Sequence, residues 1–232
     1  MTAPAFKITH LICDCDGVLL DSESIALRVL HQHLLPLLKN SIHAQLLHQA
    51  IAQRLGMFTE LLLAELDEQF AFGLQEQQYA DINRAVGFAC GDEVQLVPGI
   101  AEALAQVALP KAVASNSSHE RIVLGLRRCG LLHLFDGHIH SGHEVARPKP
   151  APDVYLAAAA GFAVSPRQCV AIDDSVTGVR SASAAGMRVL GFTGVAHDKE
   201  GMADKLRAAG AEYVFDQMSA LPQLLAGVVH PV

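Results

Sequence analysis

The sequence predicts an α/β fold: a parallel sheet covered by helices on both faces, with an all-helical insert after the first strand. Two observations predict it. Short apolar segments alternate with helical patterns over most of the chain, as they do in parallel sheets built by crossovers. The interval from Ser22 to about Gly91 breaks that rhythm, with helical spacing and no strand.

The first strand is read over Ile8 to Cys13, short and mostly apolar, ending in Asp14-Cys15-Asp16-Gly17. Lys111–Ser115, Cys169–Ile172, Val189–Phe192 and Tyr213–Phe215 share its character. Between them, helical patterns run near Glu120–Cys129, Asp153–Gly161, Thr177–Gly186 and Ala203–Ala209. Gly130, Gly161, Gly186 and Gly210 follow the helix ends, where a left-handed cap is often needed. The run Ala157–Ala160 is strong helix former. In the insert, Ile25, Val29, Leu30, Leu34, Leu37 and Leu38 keep helical spacing; Leu61, Leu62, Ala64, Glu65 and Leu66 do so less cleanly. A single right-handed crossover needs far fewer residues than this interval holds. Val97-Pro98-Gly99 returns to the core and starts a helix. The expected organisation is a doubly wound, Rossmann-like core domain over 1–20 and 94–232, with a helical domain over 21–93.

Composition narrows the function. A chain of 232 residues, 51% hydrophobic and 18% charged, buries a real core. Its net charge of -7 gives no basic footprint for nucleic acid. No stretch approaches the about 20 apolar residues of a membrane helix. Met1 to Asp14 shows no signal-peptide pattern, so a cytoplasmic location is expected. The five cysteines, Cys13, Cys15, Cys90, Cys129 and Cys169, have no zinc or disulfide spacing. Cys13 and Cys15 read as small apolar residues at the end of a buried strand, since no other Cys or His pair completes a tetrahedral set. The chain is expected to act as a monomer or weak homo-oligomer.

The chemistry sits at strand ends. Asp14 and Asp16 close the first strand; Ser115-Asn116-Ser117 closes Lys111–Ser115; Asp173-Asp174 closes Cys169–Ile172. Lys149 lies between Pro148 and Pro150, before a helix. Open parallel sheets bind ligands outside such ends. Four carboxylates converging there repel, and without a cation at least one takes a proton. Mg²⁺ suits carboxylates, phosphate oxygens and retained waters. One lysine and one hydroxyl complete a pocket for a phosphoryl group, and a carboxylate nucleophile splits hydrolysis into two easier steps.

Asp14-Cys15-Asp16-Gly17-Val18-Leu19-Leu20-Asp21-Ser22 resembles the first motif of the haloacid dehalogenase superfamily. Val113-Ala114-Ser115-Asn116 resembles the second, Lys149-Pro150-Ala151-Pro152-Asp153 the third, and Ile172-Asp173-Asp174-Ser175 the fourth. The helical insert resembles the cap of the subfamily that contains sugar-phosphate phosphatases and β-phosphoglucomutase. The resemblance implies Asp14 as nucleophile and metal ligand, and Asp16 as general acid/base with its backbone carbonyl on the metal. It implies Asp174 as a direct Mg²⁺ ligand, with Asp173 acting directly or through water. Ser115 and the backbone of Asn116 would hold phosphate, and Lys149 would pair with Asp14 and the phosphoryl group. The segment Arg54-Leu55-Gly56-Met57-Phe58-Thr59-Glu60 resembles the family's substrate-facing loop; Arg54 is read either as a substrate contact or as an exposed helix residue.

Neighbouring polar residues have plainer readings. Asp21 bonds local backbone and Ser22 caps a helix. Asp153 is an acid in a helix's first turn. Ser175 either caps its helix or touches the metal's surroundings. The twelve histidines form no metal-type pair with acids. Two departures from the family stand out. Arg147 and Pro148 precede Lys149 where many relatives carry Gly, which brings another positive charge near the site. Ala26 stands where β-phosphoglucomutase has a functional His, so a phosphatase is favoured over a mutase, which remains the alternative. A haloacid dehalogenase would lack Asp16, Asp173 and Asp174. A phosphate-accepting receiver module would carry the acidic pair first. A catalytically silent binding protein would have lost Asp14 or Asp16. No GxxxxGK stretch supports a P-loop kinase.

Overall fold

The computed structural model describes residues 7–39, 44–54, 59–196 and 198–229. The chain divides into two compact units, Met1–Leu20 with Leu96–Val232, and Asp21–Gln95. At the junctions Leu20–Asp21 and Gln95–Leu96 form a two-stranded ribbon.

The larger unit is built on six strands: β1 (His10–Cys13), β2 (Lys111–Ser115), β3 (Ile139–Ser141), β4 (Cys169–Asp173), β5 (Arg188–Phe192) and β6 (Tyr213–Phe215). They pair in parallel in the order β3-β2-β1-β4-β5-β6. That is the Rossmann order, and its direction of winding reverses between β1 and β4. Register aligns the strand ends: Cys13 lies opposite Val113 on one side and Ile172 on the other. Asp14, Ser115 and Asp173 therefore emerge at one edge of the sheet. The central strands are buried on both faces, as parallel strands under helices must be.

The smaller unit is helical: α1 (Glu23–Leu34), α2 (Ala44–Ala52), α3 (Thr59–Phe70) and α4 (Glu76–Asp92). Leu30, Leu34, Leu47, Ile51, Leu63 and Leu66 form its interior. The spacing expected through Leu38 stops at Leu34. Pro36 lacks the N–H a further turn needs, and a 3₁₀ turn over Leu35–Leu37 takes over. In α3 the buried stripe is Leu62, Leu63 and Leu66, while Leu61 faces solvent. Asp21, rather than Ser22, closes the start of α1: its carboxylate accepts from the Ser24 N–H at 3.2 Å and the Ser24 hydroxyl at 3.0 Å, and Ser22 makes no side-chain cap bond.

The larger unit adds α5 (Ile100–Ala105), α6 (His119–Arg128), α7 (Asp153–Gly161), α8 (Val176–Ala184), α9 (Lys199–Ala209) and α10 (Leu221–Val229). Among the described residues no helix is long and apolar enough to cross a membrane. In α7, Ala158 and Ala159 pack with Ile12, Ala112, Ala114 and Ala171 of the sheet. The alanine run thus lets a helix approach the strands closely, besides favouring helix. Gly130, Gly186 and Gly210 take left-handed φ, as their positions after helices predict. Gly161 does not; the left-handed residue there is Ala163, at φ 55. Gly161 is small because His140 lies against it: an added Cβ would come within 3.0 Å of the imidazole Cε1.

Strand β3 escapes the sequence because its middle residue is a histidine. His140 belongs to a cluster in which Phe162 packs against His138 (ring centroids 4.0 Å) and His10 (4.5 Å). The Nε2 of His140 is buried without a hydrogen-bond partner. Burial, then the neighbouring His138, lowers the pKa of His10 and of His140 below 6.5. The unfolded chain therefore binds protons on acidification that the folded chain resists, so stability is full above pH about 6.5 and falls as pH drops below it. Denaturant midpoints measured from pH 7.5 to 5 should show this loss, and His140→Asn should reduce it. A variant with the wild-type pH profile would contradict the assignment.

Candidate active site

Three buried acids and one buried lysine meet at the sheet edge. Asp14 follows β1, Asp173 ends β4 and Asp174 comes next; their carboxylate oxygens lie within 4.8 Å of one another. Lys149 reaches them from the loop before α7. Its Nζ donates to Asp14 Oδ1 at 2.7 Å and to Asp173 Oδ2 at 2.8 Å. Lys149 is 6% exposed, Asp14 7% and Asp173 0%, so water does little to spread these charges.

Electrostatics follow from that burial. Desolvation pushes the Asp14 carboxyl up to about 7, helped by Asp173 and Asp16 and opposed by Lys149. Desolvation opposes the ammonium too, yet Asp14 and Asp173 together hold Lys149 above its ordinary range. The three carboxylates form an all-oxygen donor set of the kind a hard divalent cation such as Mg²⁺ prefers. Asp14 and Asp174 would supply the oxygens. Asp173 is otherwise occupied: Oδ2 also accepts from Tyr155 Oη at 2.7 Å, and Oδ1 accepts from the Ser175 N–H at 2.9 Å and its hydroxyl at 2.8 Å. Four protein donors fill the about four lone-pair sites of a carboxylate.

The supporting residues include several the sequence did not reveal. Tyr155 is fully buried, bonds Asp173 and lays its ring 4.9 Å from Lys149 Nζ. Its place one turn into α7 is visible in the sequence, but nothing there separates a core tyrosine from a site tyrosine. Gly17 has φ +81, and a Cβ on it would collide with the Asp174 carboxylate. Gly178 would collide in the same way with Asp173. Ser175 caps α8, accepting from the Gly178 N–H at 3.0 Å while it holds Asp173. Both halves of its open reading therefore meet in one hydroxyl, though on Asp173 rather than on a metal.

The second motif divides its labour. Ser115 is buried at the end of β2, and its hydroxyl accepts from the Ser117 N–H at 3.1 Å. The Asn116 side chain clasps the Lys149 backbone, accepting from its N–H at 2.9 Å and donating to its carbonyl at 3.3 Å. The Asp16 carboxylate accepts from Ser117 Oγ at 2.7 Å and Arg121 Nη2 at 3.0 Å. Arg121 carries no motif signal, since helix arginines are common.

Other expectations change. Arg147 does not lend its charge to the acids; its exposed guanidinium forks onto Asp153, at 2.9 and 3.3 Å, in the first turn of α7. Cys13 and Cys15 are buried, with thiols pushed up, Cys13 to about 12, chiefly by desolvation, as packed apolar residues are. Arg54 lies in the helical unit, where it pairs with Glu65 at 2.8 Å and donates to the Ala50 carbonyl at 3.0 Å. Residues 55–58 of its loop lie outside the described residues.

Comparison with known proteins bears on the whole chain. A family model described as haloacid dehalogenase-like hydrolase matches residues 8–186. The 6-phosphogluconate phosphatase of Escherichia coli is 26% identical over 220 residues, 94% of this chain and 95% of that one. A haloacid dehalogenase-like protein from Agrobacterium tumefaciens superposes with TM-score 0.85 at 34% identity, covering 96% of this chain and 100% of that one. A family hydrolase from Deinococcus radiodurans, solved with bound phosphate and sodium, gives TM-score 0.77 at 30% identity, covering 96% of each chain.

The raised Asp14 pKa makes cation binding pH-dependent. Below about 7 the metal-free protein holds a proton on Asp14 that a cation must displace. Apparent affinity should then fall by up to about tenfold per pH unit. Thermal melts with and without MgCl₂ should show a larger Mg²⁺-induced rise at pH 8 than at pH 5.5, and almost none in Asp174→Ala. A rise independent of pH would refute the coupling.

Proposed function

The chain belongs to the haloacid dehalogenase-like hydrolases and is a phosphatase of that superfamily, and we propose that it hydrolyses a small sugar phosphate or sugar-acid phosphate through an aspartyl-phosphate on Asp14. The observation that carries this reading is the buried Lys149 ammonium held between Asp14 and Asp173. An ammonium has three donors. Two go to these acids, and the third suits a phosphoryl oxygen.

In the first step an Asp14 oxygen attacks phosphorus. The bond from phosphorus to the ester oxygen breaks, and its electron pair stays on that oxygen. Asp16 gives the oxygen a proton, and the alcohol leaves. In the second step a water attacks the phosphorus of the aspartyl-phosphate and passes a proton to Asp16. Phosphate departs, and the Asp14 carboxylate returns. Ser115 and the Asn116 backbone hold phosphoryl oxygens through both steps. Asp14, Asp174 and the Asp16 carbonyl would hold Mg²⁺, which would neutralise charge on the phosphoryl oxygens. Asp173 acts toward it through water, its own oxygens being taken by Lys149, Tyr155 and Ser175. The substrate class is supported by the near full-length likeness to a 6-phosphogluconate phosphatase.

A panel of 6-phosphogluconate, hexose phosphates and hexitol phosphates, assayed with Mg²⁺ and no bisphosphate activator, should release inorganic phosphate. Asp14→Asn keeps the shape but removes the attacking charge, so turnover should drop by about four orders of magnitude or more. Most of the wild-type rate surviving in Asp14→Asn would falsify the nucleophile.

Substrate choice is assigned to the helical unit through Arg54, whose guanidinium suits a sugar acid or second phosphate once it leaves Glu65. Arg54→Ala should reorder rates across the panel while p-nitrophenyl phosphate hydrolysis stays within about threefold of wild type. Equal losses on every ester would remove Arg54 from substrate recognition.

A further inference from the structure

We infer that Arg121 and Ser117 are positioning residues for Asp16, fixing its carboxylate for proton transfer to the leaving oxygen; this rests on the acid/base role proposed above. Both Asp16 oxygens are held from one segment, Oδ2 by the Ser117 hydroxyl at 2.7 Å and Oδ1 by Arg121 Nη2 at 3.0 Å. That segment is itself fixed. The Ser117 carbonyl accepts from the buried Ser141 hydroxyl at 2.7 Å, and the Ser117 N–H bonds Ser115 Oγ at 3.1 Å. Arg121 stands in the first turn of α6, its own N–H directed to the capping Ser118 hydroxyl at 3.4 Å.

Stability alone does not account for this arrangement. The side chains of Arg121 and Asp16 are 33% and 28% exposed, and a pair so open to solvent adds little to stability. Proton transfer, in contrast, requires a carboxylate within hydrogen-bond reach of its target, and misplacement by about 1 Å can cost about a hundredfold in rate. Asp16 immediately precedes Gly17, whose left-handed φ of 81 turns the chain. The two donors to Asp16 come from the β2–α6 loop (Ser117) and the first turn of α6 (Arg121), next to Ser115 at the end of β2. Acid and phosphate site thus share one rigid platform.

The test uses leaving groups. For alcohol release, kcat/KM reports only steps up to that release. A sugar alkoxide needs a proton to depart, and p-nitrophenolate does not. Arg121→Ala should lower kcat/KM by about tenfold to a hundredfold on the best sugar phosphate of the panel, but by less than about threefold on p-nitrophenyl phosphate. Ser117→Ala should shift the ratio the same way, and Arg121→Lys should restore part of it. Asp16→Asn sets the full scale of the leaving-group effect. Equal losses on both esters in Arg121→Ala would mean that Arg121 contacts the phosphoryl group or supports the fold, and would overturn the inference. A gain on the sugar phosphate would mean that the contact parks the acid away from its target, and overturns it equally. Absence of any leaving-group effect in Asp16→Asn would remove the acid/base role itself, and this inference with it.

Discussion

The structure depends on how an excess of negative charge is kept buried at one sheet edge. Asp14, Asp173 and Asp174 are nearly closed off from water, and the Lys149 ammonium donates to two of them. Removing one partner from such a buried set costs about 3–5 kcal/mol, because the remaining charge has no solvent to turn to. The surroundings can be read as responses to this constraint. Tyr155 and Ser175 donate to Asp173. Asn116 fixes the backbone that carries Lys149.

Space is the second constraint. Carboxylates crowded at strand ends must approach backbone closely, and the two glycines that permit this are Gly17 beside Asp174 and Gly178 beside Asp173. The same economy appears in the core, where Ala158 and Ala159 let α7 settle against the sheet and so bring Tyr155 under Lys149.

Much of this was legible in the sequence. Strand ends followed by Asp or Ser, and a lysine between prolines, carry strong local signals because the sheet dictates where ends must go. The strands β1, β2, β4, β5 and β6 could be read from apolar runs, and β3 could not, since His140 occupies its centre. Long-range partners were the harder part. Tyr155, Gly178 and Arg121 matter through what they meet, 18, 5 and 105 positions away from Asp173, Asp173 and Asp16 respectively. Arg147 misled for the converse reason: proximity in sequence to Lys149 suggested a shared task, but its nearest acid was Asp153.

The clasp of Lys149 on Asp14 also bears on how the protein is made. The two residues are separated by 135 positions. Translation at about 5–20 residues per second leaves Asp14 outside the ribosome for on the order of ten seconds before its counter-charge exists. Strand β1 lies between β2 and β4, so it cannot be enclosed on its second side until Asp173 has been synthesised. The nascent chain therefore carries β1 open on one side and Asp14 without its lysine until residues 149–173 have been made, when charge pairing and sheet closure become available together.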